Sequence, residues 1–283
     1  MNDSRASARN IRLRIAYDGT NYSGWQIQPG RTTIQGCLQQ AIQSLTGETV
    51  SVLSAGRTDA GVHALGQAAS FLTQSAIPAE KWRPALQTRL PEEIVILESD
   101  EVPLEFHATF SAVSKRYRYL ILNQVVSSPF LARYCWKIGQ TLDQELMQQA
   151  ANRLLGTHDF RSFESHWPNK ATSVRTITDL TIRRCRGWDI WKHSPTPRHS
   201  EPSTDDGEFL CLEIEADGFL YNMVRTITGT LVNVGRGSWT ADDVQRILEA
   251  QDRTVAGGTA PACGLFLAQV NYNEANLGYR DPR

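Results

Sequence analysis

The sequence predicts an α+β fold built from two halves that share one topology. Two observations predict it. Short runs of alternating apolar and polar residues are interleaved with stretches whose apolar residues recur at helical spacing. The resulting order, strand-helix-strand-strand-helix-strand, is a split β-α-β pattern that appears in the first hundred residues and again after residue 111. Halves of this kind join edge to edge into one long, mostly antiparallel sheet with helices on one face. The central cleft between them is a natural site. The expected division is residues 1–110 and 111–283.

In the first half, Ile11, Leu13, Ile15 and Tyr17 alternate with Arg12, Arg14 and Ala16, the mark of a half-buried strand. Ile34, Cys37, Leu38, Ala41, Ile42 and Leu45 fall at helical spacing, with Thr32 or Thr33 as cap and Gly47 as stop. Strands are expected over 49–55 and 66–73, a short helix around 79–89 and a strand near Ile94–Leu97. In the second half, Lys115–Asn123 reads as a strand with Tyr117, Tyr119 and Ile121 on one face and Arg116, Arg118 and Leu120 on the other. A helix over Leu142–Leu155 ends at Gly156, and strands follow near Arg175–Arg184 and Phe209–Ala216. Leu220, Val224, Ile227, Leu231 and Val234 form a narrow apolar stripe, so 219–234 is expected as an amphipathic helix. Thr240 and Asp243 resemble a capping box opening one more helix, and Leu265–Tyr272 supplies the last strand. Residues 187–208, rich in Pro, Ser, His and acidic residues, read as an inserted mobile loop.

Composition narrows the class. The 283 residues are 41% hydrophobic and 21% charged, as in a globular protein of one large or two ordinary domains. The opening MNDSRASARN has no apolar h-region, and no apolar run approaches the roughly 18 residues of a membrane helix. Five widely spaced cysteines without a C-x-x-C pair argue for buried free thiols in a cytoplasmic setting rather than a zinc or disulfide framework. The net charge of −1 does not point to nucleic acid; two local clusters qualify this, although charge runs are more often solvated faces. Lys115-Arg116-Tyr117-Arg118-Tyr119 alternates cations with stackable rings, and Arg183-Arg184-Cys185-Arg186 is a second basic knot.

The candidate chemistry centres on Gly56-Arg57-Thr58-Asp59-Ala60-Gly61-Val62-His63-Ala64. Here one carboxylate lies on a glycine-flanked turn between strands, with Arg57 two residues before it and His63 four after. A cation beside a carboxylate on such a turn displays an ionised acid to a ligand. Taken alone, the turn is better explained by the dihedral tolerance of Asp and Gly than by function. The six histidines form no H-x-x-x-H or H-E-x-x-H pattern, so no metal is expected. No Walker A motif, dinucleotide glycine fingerprint or G-x-S-x-G elbow is present. On the 219–234 helix, Arg225 lies off the apolar stripe, toward Tyr221 and Thr228, where it faces either solvent or the cleft.

Several ordered segments together resemble the TruA family of tRNA pseudouridine synthases. They are the Gly56–Ala64 stretch; Ile15-Ala16-Tyr17-Asp18-Gly19-Thr20-Asn21-Tyr22-Ser23-Gly24-Trp25-Gln26; Phe106-His107-Ala108 with Lys115–Tyr119; Gly156–Phe160; Asp217–Arg225; and Thr259–Leu265. The resemblance runs from about residue 11 to 272. It implies an isomerase acting on uridines 38–40 of the tRNA anticodon stem-loop, as a homodimer, without cofactor or metal. It also implies Asp59 as the catalytic carboxylate, Arg225 as the cation paired with it and Tyr117 as the ring stacked on the target uracil. Leu265 would pack against the base, and Arg57 would fill the space of an extruded nucleotide or bind its phosphate. The stretch 187–208 departs from the family pattern, in which this connection is much shorter.

Whether Asp59 attacks C1′, adds to C6 or removes the C2′ proton is left open by the residues. Two other classes share part of the signal. A non-catalytic RNA-binding module has the same ferredoxin-like β-α-β-β-α-β order with sheet aromatics, but gains nothing from a carboxylate facing phosphates. A metal-independent hydrolase would need a second carboxylate, and nothing marks one.

Overall fold

The computed structural model describes residues 8–165, 172–187 and 207–278. The expected inserted loop therefore lies, from residue 188 to residue 206, outside the described residues. The chain divides into two compact units, one drawn from Met1–Lys115 with Phe266–Arg283 and the other from Arg116–Leu265. Sequence order alone had placed the last strand in the second half. The structure pairs that strand with a strand of the first unit.

The first unit carries β1 (Arg9–Tyr17), α1 (Ile34–Thr46), β2 (Leu53–Ser54), β3 (His63–Thr73), α2 (Trp82–Gln87) and β4 (Ile94–Val102). Its strands lie in the order β4-β1-β3-β10, where β10 is Leu265–Tyr272, and β2 also pairs with β3. Alternation dictates β1: Ile11, Leu13, Ile15 and Tyr17 are buried, and the intervening arginines meet acids across the sheet. Arg12 pairs with Asp100 at 2.8 Å and Arg14 with Glu98 at 2.6 Å, each directly opposite its partner in register. The first pair is part-buried and the second exposed; cross-strand pairs of this kind stabilise little at a surface but disfavour a slipped register. They also explain why β4 runs well past the expected Leu97, since its acidic half is matched to β1. Thr33 caps α1 by accepting the Gly36 N–H, and Gly47 ends it at φ 75°.

Two expectations shift here. The strand expected over 49–55 shortens to Leu53–Ser54. The Val52 carbonyl instead accepts a hydrogen bond from Gln35 Nε2 at 2.9 Å, which takes it out of the ladder. Strand β3 starts earlier than residue 66, because His63 and Ala64 pair in parallel with Phe266 and Leu267 of β10.

The second unit carries β5 (Ala112–Leu122) from Arg116 onward, β6 (Trp136–Lys137), α3 (Gln144–Ala151), β7 (Gly156–Asp159), β8 (Val174–Cys185), β9 (Phe209–Ala216), α4 (Met223–Gly235) and α5 (Ala241–Ala250). Its strand order is β5-β9-β8-β7, with β6 on β5, and α3 packs against β8, α4 and α5. The short β7 was not expected from sequence. Helix α5 opens with the anticipated capping box, Thr240 and Asp243 bonding reciprocally.

Helix α4 differs from its expectation. It starts at Met223 rather than 219, because Asn222 adopts φ 61° and breaks the helical path there. It is also not amphipathic, since it is buried around nearly its whole circumference. Thr228 and Thr230 make this tolerable by donating to the carbonyls of Val224 and Thr226, each at 2.8 Å. Gly229 allows close contact, since a Cβ there would lie 1.9 Å from the Gly258 carbonyl oxygen.

Candidate active site

Asp59 lies in the first unit on the connection from β2 to β3 and is half-buried. Bonds fix this connection along its length. Gln67 Nε2, from a fully buried side chain of β3, donates to Gly56 O at 2.8 Å, and Ala55 N–H donates to Ala68 O at 2.8 Å. Trp25 N–H donates to Thr58 O at 3.0 Å, and the Thr58 hydroxyl lies 2.7 Å from Tyr17 Oη. Burial pushes the Tyr17 phenol up to about 12, with the Thr58 bond acting the other way. Val62 N–H closes the turn on Asp59 O at 3.1 Å.

The stretch from Asp18 to Trp25 meets this loop backbone to backbone. A Cβ on Gly19 would lie 2.0 Å from Val62 O, and one on Gly24, at φ +87°, would lie 2.7 Å from Thr58 O. Neither position has room for a side chain, so two glycines of the Ile15–Gln26 motif brace the loop on either side of Asp59. His63 completes the support. It is buried, its ring stacks on Phe266 at 4.7 Å, and its Nδ1 lies 3.1 Å from both Gly19 N and Asp18 Oδ1. Its place is in the packing beneath the loop. Arg57 is exposed and, among the described residues, makes no hydrogen bond or ion pair. The Lys115 amino group approaches the start of the loop, 3.4 Å from where a Gly56 Cβ would stand.

The second unit holds the other three expected residues. Tyr117 on β5 is 8% exposed and meets the Phe219 ring edge-on at 5.0 Å and 85°. Arg225, in the first turn of α4, is half-buried and fixed at two points. Its Nε donates to Ala260 O at 2.7 Å and its Nη1 to Asn222 Oδ1 at 2.9 Å, while Ala260 N–H returns a bond to Arg225 O at 3.1 Å. The left-handed Asn222 is thus a positioning residue, since its Nδ2 also donates to Ser165 Oγ at 2.9 Å. Leu265 is buried and follows Gly264, whose missing Cβ leaves room for the Tyr119 ring at 2.7 Å. Tyr119 Oη in turn donates to Pro261 O at 2.7 Å. The 260–265 segment therefore touches both Arg225 and the β5 aromatics.

Three arginines of the basic clusters are a correction. Arg116 and Arg118 do not present charge to a ligand but are paired within the sheet. Arg116 bonds Asp179 at 2.7 Å and Glu215 at 2.6 Å, and Arg118 bonds Glu213 at 2.5 Å with side chains 3% and 6% exposed. Arg184 donates to Gly207 O, Asn123 Oδ1 and Leu142 O, which makes it a structural staple. The acids that neutralise Arg116 and Arg118 lie on β8 and β9, 63 to 99 residues away, so local spacing gave no sign of them. Of the five free cysteines, expected to be buried, Cys135, Cys185 and Cys211 are, whereas Cys37 and Cys263 are only partly so. No group of three or more His, Cys, Asp or Glu among the described residues could hold a metal ion, and no described helix is long and apolar enough to cross a membrane.

A family model described as tRNA pseudouridine synthase matches residues 14–111 and 150–273. The chain belongs to the tRNA pseudouridine synthase family. It is similar to the tRNA pseudouridine synthase A of Acetivibrio thermocellus, 47% identical over 264 residues, covering 93% of this chain and all of the relative. It is also similar to that of Thermoanaerobacter pseudethanolicus, 45% identical with the same coverage. That of Halalkalibacterium halodurans is 40% identical over 95% of each chain. In this tRNA pseudouridine synthase family member, the first matched stretch carries Arg57 and Asp59 and the second Arg225 and Leu265, with Tyr117 between the two.

Proposed function

We propose that this protein isomerises uridine to pseudouridine at positions 38–40 of the tRNA anticodon stem-loop, with Asp59 as its catalytic carboxylate. The observation that carries this reading is the braced Asp59 loop in a chain of this family. An acid is held on a turn whose backbone is pinned at Gly56, Thr58 and Val62 and cannot drift. The reaction breaks the N1–C1′ bond, turns the uracil and joins C5 to C1′, with the C5 proton leaving to solvent. Atoms and electrons balance, and the chemistry asks for no cofactor.

Each remaining residue has a task that its surroundings support. A stem base is shielded until it is flipped out, and a flipped base needs an aromatic face, which is the role of Tyr117. The Phe219 contact sets the plane of that ring before RNA arrives. Leu265 packs against the same base. Arg57, exposed on the catalytic loop, fills the vacated space or takes a phosphate. Arg225 pairs with Asp59 and keeps it ionised, because a nearby cation favours the charged form of a carboxylate. Its bonds to Ala260 and Asn222 fix the guanidinium in advance, so little is lost in ordering it. The enzyme acts in the cytoplasm as a homodimer, with one tRNA contacting both subunits.

The test is tritium release from tRNA labelled with [5-³H]uridine, because C5 loses its hydrogen only in pseudouridylation. Release is expected from tRNAs with uridine at 38–40 and not from tRNAs lacking it there. An RNA-binding module or a hydrolase would release none from either.

A further inference from the structure

Phe106-His107-Ala108 and the residues after it belong to the recognised pattern, yet the chemistry above gives them no task. Phe110 is 83% exposed, unusual for so large an apolar ring. Its turn is held by four hydrogen bonds within residues 107–111, and the ring itself has one aromatic neighbour among the described residues. Ser111 N–H donates to His107 O at 2.9 Å and His107 N–H to Ser111 Oγ at 3.1 Å. His107 Nδ1 accepts the N–H groups of Thr109 and Phe110 at 3.1 and 3.4 Å. The His107 ring lies against the Phe110 ring, with centroids 4.3 Å apart and planes 33° off parallel.

The same turn is joined to the catalytic loop within the first unit. Thr109 Oγ1 donates to Ser54 O at 2.6 Å, and Ser54 stands two residues before Gly56. At Gly56 the Lys115 amino group lies alongside, and Arg57 follows, exposed. A run of contacts within this unit thus links the turn that carries the exposed ring to the acid-bearing loop and its two cations. An exposed ring on a held turn, linked to cations, suits a base and its phosphate, since every base has a face to stack and a held turn loses little entropy on binding.

We propose that Phe110, backed by His107, is a stacking platform for an unpaired nucleotide of the same RNA whose uridine reaches Asp59. The proposal rests on the isomerase reading for its choice of RNA. Phe110 then binds and orients the anticodon loop, while the chemistry stays with Asp59.

The test uses an anticodon stem-loop RNA with 2-aminopurine placed in turn at each loop nucleotide, and the Phe110→Ala, Phe110→Leu and Phe110→Trp variants of the full chain. Phe110 is exposed, so all three should melt like the wild type. With wild-type protein, fluorescence at one loop position should be quenched on binding. Ala and Leu should abolish that quenching and raise Kd and KM about tenfold with kcat within about twofold, and Trp should restore affinity. Unchanged RNA affinity in the Ala variant would overturn the platform and leave Phe110 as a contact for a protein partner. Full recovery by Leu would overturn it too, since an aliphatic side chain cannot stack. A wild-type protein that binds the stem-loop but releases no tritium would sink the isomerase reading instead, and the binding arm would still decide the platform.

Discussion

Single residues decide whether Asp59 is displayed or merely present. Gly19 is the clearest case. Replacing it by Ala would drive a Cβ to 2.0 Å from the Val62 carbonyl oxygen, which only a shift of backbone relieves. That backbone is the far end of the catalytic turn. Gly19→Ala should therefore lower kcat by more than tenfold while the protein stays folded, since a misplacement of about 1 Å costs on the order of a hundredfold in rate. Single-turnover tritium release beside a thermal melt checks this, and a variant with wild-type kcat would show that the close approach does not set the loop. The Asp59 turn was legible from its glycine spacing, but its brace was not. Gly19 and Gly24 could be read as parts of a motif, whereas the contact that requires them joins segments some forty residues apart. Asn222 was hidden for a related reason, because a left-handed non-glycine residue leaves no mark at helical spacing.

Elements were most legible where one face meets water. β1 and α5 stand where alternation and capping put them. Helix α4 was misread because burial on all sides makes an apolar stripe uninformative, and threonines that bond their own helix look polar in sequence. Strand β5 misled in the opposite sense. Its arginines suggested an RNA-facing stripe, but they are consumed by acids of β8 and β9. This pairing predicts a measurable asymmetry. Arg118→Met takes from the buried Glu213 its nearest partner, leaving Arg116 and Arg183 at 3.8 and 3.9 Å, and should destabilise the protein by about 2 kcal/mol, whereas Arg118→Met with Glu213→Leu should recover most of that loss. Denaturant midpoints of the single and double variants measure it. Equal loss in both would mean that the pair acts through packing alone.

At the scale of the whole molecule, the proposed function pairs Asp59 with Arg225, a residue of the other unit. Spacing could not show this, because 166 positions separate them, and only the family resemblance linked them. An opposite charge lowers the pKa of a carboxylate, so removing it raises that pKa. Arg225→Met should therefore depress kcat and move the acidic limb of the pH–rate profile to higher pH. Arg225→Lys should recover only part of the activity, because an ammonium lacks the planar fork of a guanidinium. An active Met variant with an unmoved acidic limb would separate the two residues.

The central claim is that the Asp59 carboxylate performs the isomerisation, and Asp59→Asn tests it most directly. The substitution keeps size and shape and removes only the charge. Single-turnover tritium release from [5-³H]uridine-labelled tRNA should fall to background in the variant, while its affinity for the tRNA stays within about threefold of the wild type. Release at more than a few per cent of the wild-type rate, from a variant shown to be free of reverted Asp, would contradict the account.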